Sequence, residues 1–146
     1  MVKFFFLCFF LILNGCTSFK KDFVDCPKVI SPKKAAEIIV KSENKSPVYI
    51  GFRGIDAYCT KDDDKIEMEI SVNVRAIRKD TKIEDFVPVN ISIVSTDLNN
   101  KEYERDSYSY SQFLLKGSKI VDRATIFDIK IPNRGKVYLG LRWLNW

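Results

Sequence analysis

From Val48 onward, apolar and polar residues alternate along the chain with a period of two. The clearest stretch covers positions 66–76, whose apolar residues are Ile66, Met68, Ile70, Val72, Val74 and Ala76. Because successive side chains of a strand point to opposite faces, this alternation predicts an antiparallel strand with one buried face. Related patterns over 48–60, 87–93, 103–115, 124–131 and 137–143 predict further strands, separated by turn residues at 61–65, 97–101 and 132–135.

This series of short strands and turns predicts a mainly β fold, an antiparallel immunoglobulin-like β-sandwich. One segment breaks the pattern. Residues 31–40 predict a short N-terminal helix, because Ser31 suits the N-cap and Pro32 suits the first helical position.

The first residues are typical of a secretory signal peptide. Lys3 supplies a positive charge, 4–13 is an unbroken apolar run, and the small residue Gly15 follows. The run is shorter than the roughly 20 residues that a membrane-spanning helix needs. We therefore expect a signal peptide at 1–15, a polar tether at 16–25 and one domain at 26–146.

The tetrapeptide Leu13-Asn14-Gly15-Cys16 resembles the lipobox of bacterial lipoproteins. The resemblance implies that Cys16 receives a diacylglyceryl group and becomes the mature N-terminus. An ordinary signal peptide followed by a chance cysteine is the alternative. Because Thr17 rather than aspartate follows, the sorting rules of such lipoproteins favour the outer membrane, facing the periplasm, over the inner membrane.

The chain has four cysteines. Cys8 lies in the apolar run and Cys16 is the expected lipid site, which leaves Cys26 and Cys59. Exported proteins meet an oxidising compartment, so we expect these two to form a structural disulfide. A metal pair or a redox couple is the competing interpretation, but the chain has no histidine and the spacing is not Cys-x-x-Cys.

The composition gives few candidates for catalytic or metal-binding residues. Lysine and arginine outnumber aspartate and glutamate by 24 to 19, a mild excess that suits an anionic lipid or glycan surface as well as an ordinary protein surface. The sequence has no nucleophile elbow and no phosphate-binding glycine loop. We therefore expect no catalytic residues, no metal site, no cofactor and no nucleic-acid partner. Glu67 and Glu69 fall on the polar face of a strand and are expected to be exposed.

Aromatic residues near the end of the chain are the candidate binding surface. Tyr108 and Tyr110 alternate with serines, and Trp143 ends the last predicted strand. Tyrosine and tryptophan offer rigid, amphipathic contact area. A partly buried tyrosine row across a sheet is the structural alternative.

The chain contains, in this order, Cys26-Pro27-Lys28-Val29, 52–59 ending in Cys59, Ile129-Lys130-Ile131-Pro132 and Tyr138-Leu139-Gly140-Leu141. Together these segments resemble an uncharacterised family of small alphaproteobacterial lipoproteins. The usual final glycine-phenylalanine is Gly140-Leu141 here. The resemblance implies a β-sandwich and an envelope location, and it implies no catalytic residues.

The sequence thus predicts a lipid-anchored envelope protein that acts as a non-enzymatic interaction or structural module. Its partners would be the membrane, through Cys16, and an envelope protein or glycan. Two alternatives remain open. One is a hydrolase of an envelope polymer, and the other is a carrier of an apolar ligand.

Lipidation of Cys16 has a direct test. Replacing Cys16 by serine should leave the protein unprocessed or released from membranes, because the thiol accepts the diacylglyceryl group. Mass spectrometry of the mature wild-type protein should find a diacylglyceryl cysteine at its N-terminus. An unmodified N-terminus would contradict the prediction.

Overall fold

The computed structural model describes residues 22–143, which form two packed β-sheets. Cys16 and the predicted signal peptide lie outside the described residues. Within 22–143 there are nine strands and one short helix. In chain order they are β1 (Phe23–Val24), β2 (Val29–Ile30), α1 (Lys33–Ala36), β3 (Glu37–Lys41), β4 (Pro47–Asp62), β5 (Lys65–Arg78), β6 (Asp85–Thr96), β7 (Glu102–Leu114), β8 (Ile120–Pro132) and β9 (Lys136–Leu141).

The two sheets are interlocked by the path of the chain. The first has the strand order β1-β4-β5-β8, with β3 also pairing with β4, and the second has the order β2-β9-β6-β7. Strand β5 lies beside β8 in one sheet, and β6 lies beside β9 in the other. Immunoglobulin domains pair strand B with E and strand C with F in the same way. The predicted β-sandwich is therefore confirmed, although β2 and β9 are parallel.

The core faces of the sheets follow the alternation in the sequence. On β5, Ile70 is fully buried whereas the neighbouring Glu69 is exposed. The buried apolar residues of β5 are Met68, Ile70, Val72, Val74 and Ala76, and they share one cluster with Val87, Val89, Ile91, Ile93, Val137, Leu139 and Leu141. Full burial of each larger aliphatic side chain is worth about 1.5–3 kcal/mol. Burial between the sheets is therefore the main source of stability.

The helix predicted over 31–40 is wrong for most of its length. Helix α1 covers Lys33–Ala36 alone, and β3 follows it at once. The run Ile38-Ile39-Val40 is β-branched, which favours extended backbone. Ile38 is buried while Ile39 is 58% exposed, so these residues follow the period of a strand.

The predicted N-cap is also wrong. Pro32 occupies the N-cap position without a side-chain hydrogen bond to the helix. The Ser31 hydroxyl instead donates a hydrogen bond to the Leu139 carbonyl oxygen on β9, at 2.9 Å. Ser31 therefore ties the N-terminal segment to the second sheet.

The N-terminal segment crosses between the sheets twice. Strand β1 pairs with β4, β2 pairs with β9 of the other sheet, and β3 returns to β4. Within 22–143 the first paired residue is Phe23, inside the segment 16–25 that the sequence assigns to the tether. This path joins the two sheets along one edge of the sandwich.

The predicted disulfide between Cys26 and Cys59 is present. The two Cα atoms lie 5.2 Å apart, within the usual range for a disulfide, and the residues are 33 positions apart in sequence. The chain-entropy estimate for such a loop is about 3–4 kcal/mol. The bond fixes the start of the crossing segment to β4.

Arg78, at the end of β5, is buried with backbone carbonyls as its partners. Its guanidinium donates to the carbonyl oxygens of Leu115 at 2.5 Å, Ile83 at 2.9 Å and Ser118 at 3.1 Å. Its exposed fraction is 3%. The charge is thus satisfied by carbonyl dipoles, and the side chain joins the loop before β6 to the loop before β8.

Removing the Arg78 guanidinium should strongly destabilise the domain. Arg78→Met leaves three carbonyls without their donor, at an expected cost of about 3 kcal/mol or more in the free energy of unfolding. Urea denaturation measures this cost. Arg75→Met is the matched control, because Arg75 forms a more exposed ion pair with Asp122 and should cost about 1 kcal/mol or less. Equal losses in the two variants would contradict the structural role of Arg78.

Candidate binding cleft

The three aromatic residues singled out in the sequence lie in two different settings. Tyr108 and Tyr110 pair with Ile91 and Val89, which are buried core residues of β6. Paired residues share a face of the sheet, so both tyrosines are on the core side of β7. Trp143 follows β9 and is 60% exposed.

The two tyrosines form a cluster with Arg123 of β8. Their ring centroids are 5.6 Å apart, and the Arg123 guanidinium lies 4.1 Å from the Tyr110 centroid. The guanidinium also donates to the Tyr108 hydroxyl at 3.4 Å. A cation over an aromatic face is worth about 0.5–2 kcal/mol, depending on its exposure. The cluster therefore connects the edge strands of the two sheets, in line with the structural alternative for this tyrosine pair.

The Tyr110 hydroxyl is in a poorly solvated position. Neither it nor the nearby Thr125 hydroxyl completes a hydrogen bond among the described residues. Burial raises the pKa of the Tyr110 phenol to about 12, although the charge of Arg123 acts in the opposite direction. The neutral phenol is therefore favoured well above the ordinary tyrosine range.

Tyr110 and Trp143 do share one feature, a surface cleft of about 1150 Å³. It runs between β3 of the first sheet and β6 of the second, and its lining is mainly apolar. Lining residues from β3, the loop after it and the first position of β4 are Ile39, Val40, Lys41, Ser42, Glu43, Lys45 and Pro47. The opposite wall consists of Pro88, Asn90, Ser109, Tyr110, Ser111 and Trp143.

Among the described residues β9 is shorter than β6, and the cleft lies beside the part of β6 that β9 does not reach. Strand β9 pairs with β6 over 91–96, and within the described residues positions 87–89 have no strand on that side. The Arg142 amide bonds to the Asn90 carbonyl at 2.9 Å, and the Glu43 amide bonds to the Phe86 carbonyl at 2.9 Å. Pro88 lies between these two bonds and has no amide hydrogen to donate to a longer β9. Proline at this position accounts for the end of the strand and for the open edge.

The loop wall of the cleft is held by Asp85. Burial of this carboxylate would raise its pKa, but hydrogen bonds from Ser42 and from the amides of Phe86 and Asn44 lower the pKa below its usual value. The distances from Asp85 Oδ1 are 2.8 Å to the Phe86 amide and 3.3 Å to the Asn44 amide. The 42–46 loop is thereby fixed beside the start of β6.

Three polar features distinguish the cleft from a plain apolar groove. Asn90 is 5% exposed, and its side-chain oxygen has no donor among residues 22–143. Lys41 and Lys45 are exposed, and neither forms an ion pair within the described part of the chain. Glu43 is the acidic residue of the lining, so the charge balance at the cleft is positive.

A second hollow, of about 490 Å³, lies over the β5–β8 end of the first sheet. Glu69 pairs across the strands with Asp128, and Glu67 lies 3.7 Å from the Lys130 ammonium. Glu69 is exposed and Glu67 is partly exposed, which agrees with their predicted place on the polar face. Glu104 of β7 accepts a hydrogen bond from the Lys130 amide at 2.5 Å. This hollow is an acidic surface with one partly paired lysine.

Other kinds of site have no counterpart among the described residues. Within 22–143, no group of three or more histidine, cysteine, aspartate or glutamate side chains is arranged to hold a metal. The helix in this range is too short and too polar to cross a bilayer. Comparison of the chain with protein-family models, with curated proteins and with solved structures found no significant match in any of the three.

Sequence reasoning names residues of one wall of the cleft but misses the opposite wall. The sequence pattern places Ile39 and Val40 in a helix, which hides the edge strand that they form. The signal that points to the cleft is Pro88 in the middle of an alternating strand, together with a last strand too short to cover β6. Both are visible in the sequence once the register is known.

The raised pKa of Tyr110 gives a pH prediction. Because the pKa is about 12 in the folded state against 10.0 for the unperturbed group, the folded protein resists ionisation in this interval. The free energy of unfolding should therefore fall as the pH rises from about 10 to about 12. The fall is at most roughly 1.4 kcal/mol for each pH unit in that interval, and solvent screening of this partly exposed side chain reduces it.

Ultraviolet titration of the phenols measures this directly. Tyr110→Phe should remove one tyrosine that ionises near pH 12, whereas Tyr58→Phe, at an exposed position, should leave that tyrosine in place. A titration in which the Tyr110→Phe protein keeps the high-pH transition would show that another residue is responsible.

Proposed function

We propose that this protein is a lipid-anchored module of the bacterial envelope that binds a partner in the cleft beside Trp143, without catalysis. The proposal is supported by the lipobox-like start of the chain, by the expected lipidation of Cys16 and by the disulfide between Cys26 and Cys59. It retains the outer membrane, with the domain facing the periplasm, as the expected location. It also retains the resemblance to small alphaproteobacterial lipoproteins.

The observation that carries the proposal is the cleft itself. A concave, mainly apolar surface with a few polar groups is the usual form of a binding site. Trp143 is an exposed aromatic residue on its wall, and aromatic residues are enriched among the side chains that dominate binding energy. The rigid sandwich holds both walls, because β3 is paired to β4 and β6 is paired to β7.

A carrier of an apolar ligand is the second candidate, and the same cleft favours it. The apolar lining and a volume of about 1150 Å³ would accommodate a drug-sized or acyl ligand. A hydrolase would draw on different residues, the adjacent carboxylates of Glu69 and Asp128 in the acidic hollow. The hydrolase therefore uses a part of the molecule that is separable from the cleft.

Site-specific photocrosslinking in intact cells tests the proposal. A photoreactive amino acid at position 143 should capture an envelope partner, because the residue at this position lines the cleft. The same group at position 58 is the control, since Tyr58 is 65% exposed but lies beside the acidic hollow on the outer face of the first sheet, away from the cleft. Fractionation of the same cells should find the protein in the outer membrane.

Two results would contradict the proposal. One is equal capture at positions 143 and 58, which would show that the cleft is not the contact surface. The other is turnover of peptidoglycan, lipid or ester substrates by the purified protein that is lost in Asp128→Asn, which would promote the hydrolase.

A further inference from the structure

We propose that the cleft binds an extended polypeptide segment in which an apolar side chain lies next to an acidic one. This inference rests on the proposed function and specifies the chemistry of the partner. It commits to a peptide rather than to an acyl chain or a glycan, for reasons of hydrogen bonding, apolar contact and charge.

The first argument comes from hydrogen-bond acceptors along the cleft. The Phe86 and Asn90 carbonyls both accept bonds on the open edge of β6, so the Pro88 carbonyl, two residues from each, points to the same side. A carbonyl on the edge of a strand can accept a hydrogen bond from a neighbouring chain, so an occupant with N–H groups is favoured. A peptide carries one N–H at nearly every residue, whereas an acyl chain carries none.

The second argument concerns how such a peptide would be held. Pro88 has no N–H, so a peptide cannot form a continuous strand ladder along this edge. Its side chains must therefore supply most of the recognition. Ile39, Pro47 and Trp143 offer the apolar surface for that contact, and Trp143 is exposed enough to pack against a ligand. A peptide with an apolar anchor fits this lining better than a glycan, whose surface is mainly hydroxyl.

The third argument is charge complementarity. Lys41 and Lys45 lie on the cleft, both exposed and without an ion pair in the described chain, against one acidic residue, Glu43. An aspartate or glutamate beside the apolar anchor of the peptide could form an ion pair with Lys41 or Lys45 in the same cleft. Ion pairs at the rim of a site contribute mainly to specificity and to the rate of association.

A random peptide library identifies the preferred chemistry from binding alone. The purified protein is immobilised and used to select from a displayed library of random dodecapeptides. Selected sequences should be enriched in an aliphatic or aromatic residue within two positions of an aspartate or glutamate. Synthetic versions of these peptides, labelled with fluorescein, then give dissociation constants by fluorescence polarisation.

Variants of the cleft should change these constants in defined ways. Trp143→Ala should weaken binding at least tenfold, and Tyr58→Ala, which removes a comparably exposed aromatic residue elsewhere, should leave it within twofold. Lys41→Glu should weaken the acidic peptides about tenfold and improve matched peptides in which lysine replaces the acidic residue. Lys61→Glu, an exposed lysine outside the cleft lining, is the charge control.

The outcomes separate this inference from the function on which it rests. No enriched motif, or peptides that bind Trp143→Ala as well as the wild type, would overturn the peptide inference. If a fluorescent C16 fatty acid then binds and is lost in Trp143→Ala, the occupant is an acyl chain and the carrier is correct. If photocrosslinking at position 143 still captures a partner while the library fails, the cleft binds a folded surface, and the proposed function survives without the peptide inference.

Discussion

The burial of one face of β5 against the second sheet is the contact on which the rest of the structure depends. Ile70 and Val72 are fully covered by this contact, and Ile91 of β6 belongs to the same core cluster. Shifting β5 by one residue would expose this row and bury Glu67 and Glu69 without partners. The register of the central strands therefore also sets the position of every residue at the cleft, including Pro88 and Trp143.

Much of this fold is predictable from sequence, because strict alternation leaves little choice of face. The strand β5 and the disulfide between Cys26 and Cys59 follow from local pattern and from cysteine arithmetic. The helix prediction is wrong at Ile38 because a serine and a proline are weak evidence beside a β-branched run. Edge pairing with β4 decides the conformation there, and that pairing is a long-range property which no local pattern contains.

The candidate site is less predictable for the same physical reason. Tyr108 and Tyr110 are recognisable as aromatic residues on one face, but the sequence does not show that Arg123 reaches them from the other sheet. The cleft lies beside the part of β6 that β9, as described, does not pair with. The number of residues over which two strands pair depends on both strands, so neither sequence segment alone predicts it. Pro88, interpreted as an interruption of strand pairing, locates the β6 wall of the cleft. It does not locate the opposite wall, which β3 and the loop after it provide.

Pro88 has a further consequence for molecules held together on a surface. Proteins tethered to one membrane are concentrated in two dimensions, and open strand edges that meet at high density tend to join into continuous sheets. A proline in the middle of the β6 edge prevents a neighbouring copy from completing such a sheet there. For a lipid-anchored protein of the kind proposed above, the proline beside the cleft would thus also hinder strand pairing between neighbouring copies at this edge.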